Sequence, residues 1–274
     1  MNDIYLCIVL YKKDFTSSDT LKSIQKLDDS IRKRIKKIFL WDNSPERLCE
    51  KDLLEYSSLT GINIEYLWNG QNNNLSSIYN KTITSVPENA ILVLLDHDSL
   101  IVNDYFIQLF KDEEKYKEVN LFLPIIKYNN QIVSPAWQIY FYGQYLKKVH
   151  PGLVKSKNKM AINSGMAIRT TYLKKHFRGY NEKIKFYGTD NDFMTQYSKD
   201  NKYFILMDTV INHELNYYEN QNRKDILRRL EDMKYGSYIL MQETNPFILG
   251  LAKIYWWMYE NKIKYGLRNL PKDN

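Results

Sequence analysis

AILVLLDHDS, residues 90–99, is the stretch on which the fold turns. Ala90 to Leu95 are apolar without alternation, the pattern of a strand covered on both faces. Asp96-His97-Asp98 follow at once. Reading backward from there, Asn74 to Thr84 predicts a helix. Ile62 to Leu67 predicts a strand closed by Asn69-Gly70, and Asp52 to Leu59 a short helix. Ile38 to Trp41 is another strand, ended by the turn cluster Asp42-Asn43-Ser44-Pro45. Thr20 to Arg34 carries Leu21, Ile24, Leu27 and Ile31 three or four apart, one face of a helix. Ile4 to Tyr11 (IYLCIVLY) is the first buried strand. Strands alternating with helices imply an α/β fold, a parallel sheet joined by right-handed crossovers. Ligands of such sheets bind at the C-terminal strand ends. Three polar clusters fall there: Tyr11-Lys12-Lys13-Asp14, Asp42-Asn43-Ser44 and Asp96-His97-Asp98. Polar turns are common at those ends in any α/β protein, so the convergence is a first clue only.

The sequence after residue 100 is mixed. Asn120 to Tyr128 and Gln131 to Ser134 predict a hairpin around Asn129-Asn130. Gly143 to Asn158 is basic and aperiodic, and reads as a loop. Ala161 to Arg169 is strand-like, Thr170 to His176 helical, Gly188 to Lys199 a helix and Phe204 to Asp208 a short strand. From Arg223 onward the chain reads as largely helical.

The 274 residues suffice for one large domain, or one domain with a small C-terminal extension. A net charge of +7 favours anionic partners such as nucleotide phosphates or acidic lipid. No Arg-rich tract or aromatic RNA-binding signature accompanies it, so no nucleic-acid partner is expected. The two cysteines, Cys7 and Cys49, form no metal-binding pattern and fit a reducing cytoplasm. Met1-Asn2-Asp3-Ile4 lacks a basic region before an apolar stretch, so no signal peptide is expected. No apolar run of about 18 residues predicts a spanning helix.

Acidic residues at i and i+2 directly after a buried strand are costly without a partner. A hard cation such as Mg²⁺ or Mn²⁺, bridging Asp96 and Asp98 to a diphosphate, meets that need. A solvated turn is the plainer reading. Asp190-Asn191-Asp192 is a second acidic pair, at the start of a helix that Thr189 could cap. There the carboxylates either complement the helix dipole or supply a general base. Asn163-Ser164-Gly165 upstream favours function. His213, after the last predicted strand, is a structural histidine unless the chain folds it back toward Asp98 as a third metal ligand.

Taken together, VLYKKD (9–14), WDNS (41–44), NNNLSSIYN (72–80), LLDHDS (94–99), NSGMAIR (163–169), FRGYNEKIKFYGTDNDF (177–193) and NHE (212–214) resemble, in order and spacing, family 2 glycosyltransferases of the GT-A fold. The rhamnosyl- and galactofuranosyltransferase-like bacterial members are the most similar in these pieces. The resemblance implies a Rossmann-like nucleotide-diphospho-sugar transferase fold with a mostly parallel central sheet. It implies that Tyr11 and Asp42 contact the nucleotide base, Asp42 accepting from a pyrimidine N–H. Asn43, Asn80, His97, Ser164, Gly165 and Asp192 would line the donor site. Asp96 and Asp98 would serve ribose, diphosphate and a Mn²⁺ or Mg²⁺ ion, with His213 as distal metal ligand and Asp190 as catalytic base. The implied reaction is an inverting transfer from a UDP- or dTDP-type sugar donor to a glycan or lipid-linked acceptor, in bacterial surface polysaccharide synthesis. The sequence departs from the family pattern in Asn74, where Gly is common, and in Thr189, where an acidic residue is common. The insert from Gln131 to Lys159 has no match, and its expected role is the acceptor.

Two other readings compete. A sugar nucleotidyltransferase also pairs acids with a metal, but carries a Gly-rich phosphate loop after its first strand, and VLYKKDFTSS has no glycine. A non-catalytic nucleotide-sugar-binding module would keep the fold without turnover; the intact Asp96, Asp98 and Asp190 set argues against it. The expected layout is a catalytic domain over 1–220, its nucleotide half 1–100 and its acceptor half 101–220, with a helical, aromatic and basic extension over 221–274. Within that extension, Trp256, Trp257 and Tyr259 beside lysines suit a bilayer interface, over 246–270, at the inner face of the cytoplasmic membrane. The same segment also suits packing on the domain or on a second subunit in a homodimer, the plainer reading.

Overall fold

The computed structural model describes residues 2–212, 223–242 and 245–267. The first half follows the order read from sequence: β1 (Asp3–Leu10), α1 (Asp19–Gln25), α2 (Asp29–Arg32), β2 (Ile35–Asp42), α3 (Glu50–Thr60), β3 (Asn63–Trp68), α4 (Leu75–Ser85) and β4 (Ala90–Asp96). The four strands are parallel, in the order β3-β2-β1-β4. The helix expected over Thr20 to Arg34 is two short ones, interrupted at 26–28.

After α5 (Asn103–Lys115) come β5 (Leu121–Tyr128), β6 (Gln131–Ser134), β7 (Ala136–Ile139), β8 (Tyr142–Tyr145), β9 (Gly152–Lys155), β10 (Lys159–Met160) and β11 (Met166–Arg169). Then follow α6 (Thr170–Lys175), α7 (Thr189–Asp200), β12 (Tyr203–Asn212), α8 (Arg223–Gln242) and α9 (Pro246–Leu267). The main sheet continues from β4 as β11-β5-β12-β9, with β6 beside β5. β11 is antiparallel to both β4 and β5, whereas β12 runs parallel to β5. Asn129 and Asn130 turn the β5–β6 hairpin with φ of 45° and 62°, a left-handed pair that Asn tolerates. The region read as a loop over Gly143 to Asn158 holds most of β8 and all of β9. β8 joins β7 and β10 in a separate small sheet, and β9 edges the main one.

The sheet is covered on both faces, as the unbroken apolar runs require. Ile91, Val93 and Leu95 of β4 join Ile4, Leu6 and Ile8 of β1 in a core with α1 and α5, through Leu21, Ile24, Tyr105 and Phe106. Leu92 and Leu94 face the other way, with Cys7 and Val9, onto Ile78 and Tyr79 of α4 and Phe193 and Tyr197 of α7. Side chains along a strand alternate faces, so Asp96 carries the parity of Leu92 and Leu94. It therefore emerges on the α4–α7 face.

Candidate functional site

The backbone of the Asp96-His97-Asp98 turn is pinned from the α1 side. The His97 carbonyl accepts from Ser18 Oγ at 2.8 Å and Thr20 N at 3.2 Å. The Asp96 carbonyl accepts from Thr20 Oγ1, which itself accepts from Ser99 N at 2.8 Å. With the main chain fixed there, the carboxylates of 96 and 98 reach a cavity of about 660 Å³. Gly165 brings β11 close behind this turn. Its φ is +79°, its N–H donates to Leu94 O at 2.8 Å, and a Cβ there would meet Pro124 Cγ at 2.8 Å. Ser164 Oγ bonds to Ser99 Oγ and accepts weakly from Asp96 N.

Asp190, from the first turn of α7, lines the same cavity as Asp96 and Asp98. The three carboxylates thus come together from positions 94 residues apart in sequence. Burial, reinforced by the charge of Asp96, pushes the Asp190 carboxyl up to about 6, against the pull of the Asn191 N–H that donates to it at 2.8 Å. A carboxylate poised there can take a proton near neutral pH. Tyr11, 41% exposed, and Asn43 also line the cavity. Asn163 lies in the wall and donates to Thr189 Oγ1 at 2.9 Å; its Oδ1 is buried with no hydrogen-bond partner among the described residues.

Other residues expected at the donor site do different work. Asp42 is only 1% exposed and is turned inward, accepting from Ser44 N at 2.9 Å and Tyr66 Oη at 2.7 Å. Asn80 clasps the 180–182 loop, accepting from Tyr180 N at 2.7 Å and donating to Tyr180 O at 2.9 Å. Asp192, also 1% exposed, accepts from Asn181 N and Gln196 Nε2 and pairs with Arg178. Ser164 and Gly165 buttress the turn from behind. None of these five lines the cavity. His213 lies outside the described residues.

Sequence reasoning missed the roof. Helix α8 brings Asp225, Arg228, Arg229 and Asp232 to the cavity. These positions stand at i, i+3, i+4 and i+7, one polar face of a helix, and that spacing was the available signal. Arg229 Nε donates to Tyr187 Oη at 2.7 Å, tying the helix to the loop before Asp190. Gly236 sets the distance: a Cβ there would sit 2.2 Å from the Tyr187 carbonyl oxygen.

Hard oxygen donors at Asp96 and Asp98, with the unengaged Asn163 Oδ1 in the same wall, fit Mg²⁺ or Mn²⁺. Among the described residues no group of three or more His, Cys, Asp or Glu forms a metal cluster. A cation here would take its remaining ligands from substrate and water, the usual habit of Mg²⁺ beside a diphosphate.

No protein-family model and no curated protein matches the sequence. Solved structures do match in shape. TarS of S. aureus superposes with a TM-score of 0.60 at 14% identity, over 88% of this chain and 39% of that one. GalNAc-T7, solved with UDP, GalNAc and Mn²⁺, gives 0.59 at 15% identity, over 84% and 48%. The mannosyltransferase PcManGT of Pyrobaculum calidifontis, solved with GDP-Man and Mn²⁺, gives 0.59 at 11% identity, over 92% and 69%. The chain thus spans less than half of TarS and of GalNAc-T7. At these identities the likeness is one of architecture, and it establishes that this chain has the GT-A fold, α/β with a mostly parallel central sheet and C-terminal helices.

Proposed function

We propose that this protein is a metal-dependent glycosyltransferase that moves a sugar from a nucleoside-diphosphate donor to an acceptor hydroxyl with inversion. The observation that carries the reading is the meeting of Asp96, Asp98 and Asp190 in one cavity of about 660 Å³, large enough for a nucleotide sugar. The fold supports it, and so do the UDP-GlcNAc, UDP and GDP-Man complexes of similar structures.

Asp190 removes the proton of the acceptor hydroxyl as its oxygen bonds to the anomeric carbon. The bond from that carbon to the diphosphate breaks on the opposite side, and the nucleoside diphosphate leaves. A single displacement of this kind inverts the sugar. A Mn²⁺ or Mg²⁺ ion held by Asp96 and Asp98, with His213 as a further candidate, would neutralise charge on the leaving diphosphate. Tyr11 offers an exposed ring for the base, and Asn43 a polar contact beside it. Asp42 acts through the loop it orders, since its carboxylate is engaged by Ser44 and Tyr66. Arg228, 3.4 Å from Asp225, and Arg229 on the roof offer guanidinium donors to the departing diphosphate. The donor is of UDP or dTDP type and the acceptor a glycan or lipid-linked glycan in bacterial surface polysaccharide synthesis in the cytoplasm. Residues 1–220 are the proposed catalytic domain and 221–274 an extension, of which helix α8 roofs the cavity. The rhamnosyl- or galactofuranosyltransferase-like grouping is part of this proposal.

Thermal-shift measurements with UDP-, dTDP- and GDP-sugars, with and without Mn²⁺, test it. One of the donors raises the melting temperature, and Mn²⁺ enlarges the rise in wild type but not in Asp96→Asn. The absence of metal-dependent stabilisation by any donor overturns the reading.

A further inference from the structure

We infer that helix α9 docks this protein on an anionic lipid surface, lying along the bilayer rather than crossing it. The helix has two faces. Ala252 and Trp256 are buried, and Tyr255 packs on Phe141 and Tyr142 at ring distances of 5.2 and 6.3 Å. On the other face Phe247, Leu251, Ile254, Met258 and Tyr265 are exposed, between 39% and 69%. Their spacing of i, i+4, i+7, i+11 and i+18 keeps them within about 60° of one another at 100° per residue, a continuous stripe along the helix. Trp257, 67% exposed, borders it. Scattered exposed apolar residues are ordinary on a protein surface, but an aligned row of large ones marks an interaction face.

The charges choose the occupant. By the same helical geometry Lys262 flanks the stripe on one side, and Lys253 and Lys264 flank it on the other, all exposed. Apolar and aromatic residues bordered on both sides by lysine match the boundary between acyl chains and anionic headgroups. Two copies of this face brought together would set lysine against lysine. The one acid of the described helix, Glu260, is already held by Lys234 at 2.8 Å and Lys264 at 2.5 Å. The neighbouring β7–β8 hairpin extends the surface with exposed Tyr140, Tyr142 and Tyr145, followed by Lys147 and Lys148. Among the described residues no helix is long and apolar enough to span a membrane, which leaves the in-plane mode for α9.

This face lies outside the cavity, so its failure leaves the transferase reading intact. The test is co-sedimentation of the full chain with vesicles of phosphatidylcholine alone, or of equal parts phosphatidylcholine and phosphatidylglycerol. Wild type sediments with the anionic vesicles and less with the neutral ones. Ile254→Glu/Met258→Glu weakens the anionic binding at least about tenfold with an unchanged melting temperature. Lys253→Gln/Lys262→Gln, which leaves the stripe whole, loses the preference for phosphatidylglycerol, and guards against misfolding of the first variant. Wild type that stays in the supernatant overturns the inference. So does a dimer that ignores vesicles and falls apart in Ile254→Glu/Met258→Glu, which would assign the face to a second copy.

Discussion

Asp190 shows how environment shifts the proton affinity of a common side chain. Its burial and the neighbouring Asp96 raise the carboxyl to about 6, while the Asn191 N–H keeps the anion accessible. As the proposed base Asp190 works in its deprotonated form, so turnover is expected to rise with pH through this midpoint and to level above it. A cation at Asp96 and Asp98 favours the anion and moves the midpoint down. The acid limb of kcat in the metal-loaded enzyme is therefore centred at or below pH of about 6; a rate that climbs as pH falls through that range contradicts the assignment. Residue placement was legible where it depends on local order: Asp96 and Asp98 stand at the end of a buried strand, and Asp190 lies in the first turn of a helix. It was misleading where tertiary partners decide orientation. Nothing in WDNS reveals that Tyr66, 24 positions later, takes up Asp42. Nor does NNNLSSIYN reveal that Asn80 turns to the Tyr180 backbone 100 positions away.

At the scale of elements, helix α8 decides how closed the cavity is. Gly236 stands in mid-helix, where Ala is ordinarily better by about 1 kcal/mol. Here the added methyl meets the Tyr187 carbonyl oxygen at 2.2 Å, so the backbones must part. Overpacking of this kind costs about 1–3 kcal/mol and outweighs the gain in propensity. Gly236→Ala therefore lowers the melting temperature and weakens nucleotide-sugar binding together, because Arg228 and Arg229 retreat with the helix; calorimetric titration reads the affinity. A stabilised protein with unchanged affinity contradicts this placement. The alternation of strands and helices through β4 was plain because β1 and β4 are buried on both faces and the turn clusters mark the strand ends. The small sheet was not. All four residues of β8 are exposed, so no core-facing pattern marks it, and its pairing with β7 supplies what the sequence lacks.

Across the whole molecule the sheet works as a device for convergence. β11 inserts antiparallel between β4 and β5, and the residues leading into it place Asn163 in the cavity wall and Gly165 behind the Asp96 turn, while α7 returns over the face to which the parity of β4 directs Asp96. The GT-A architecture was legible from the joint order of seven short motifs spread over residues 9–214. The roof was not, since it comes from a helix beyond the last of them. The central claim is that residues from these distant segments form one reaction centre with Asp190 as its base. The turnover number of Asp190→Asn, at saturating donor and metal, tests it most directly. The account predicts a fall of about 10²–10⁴-fold; a rate within about threefold of wild type would contradict it.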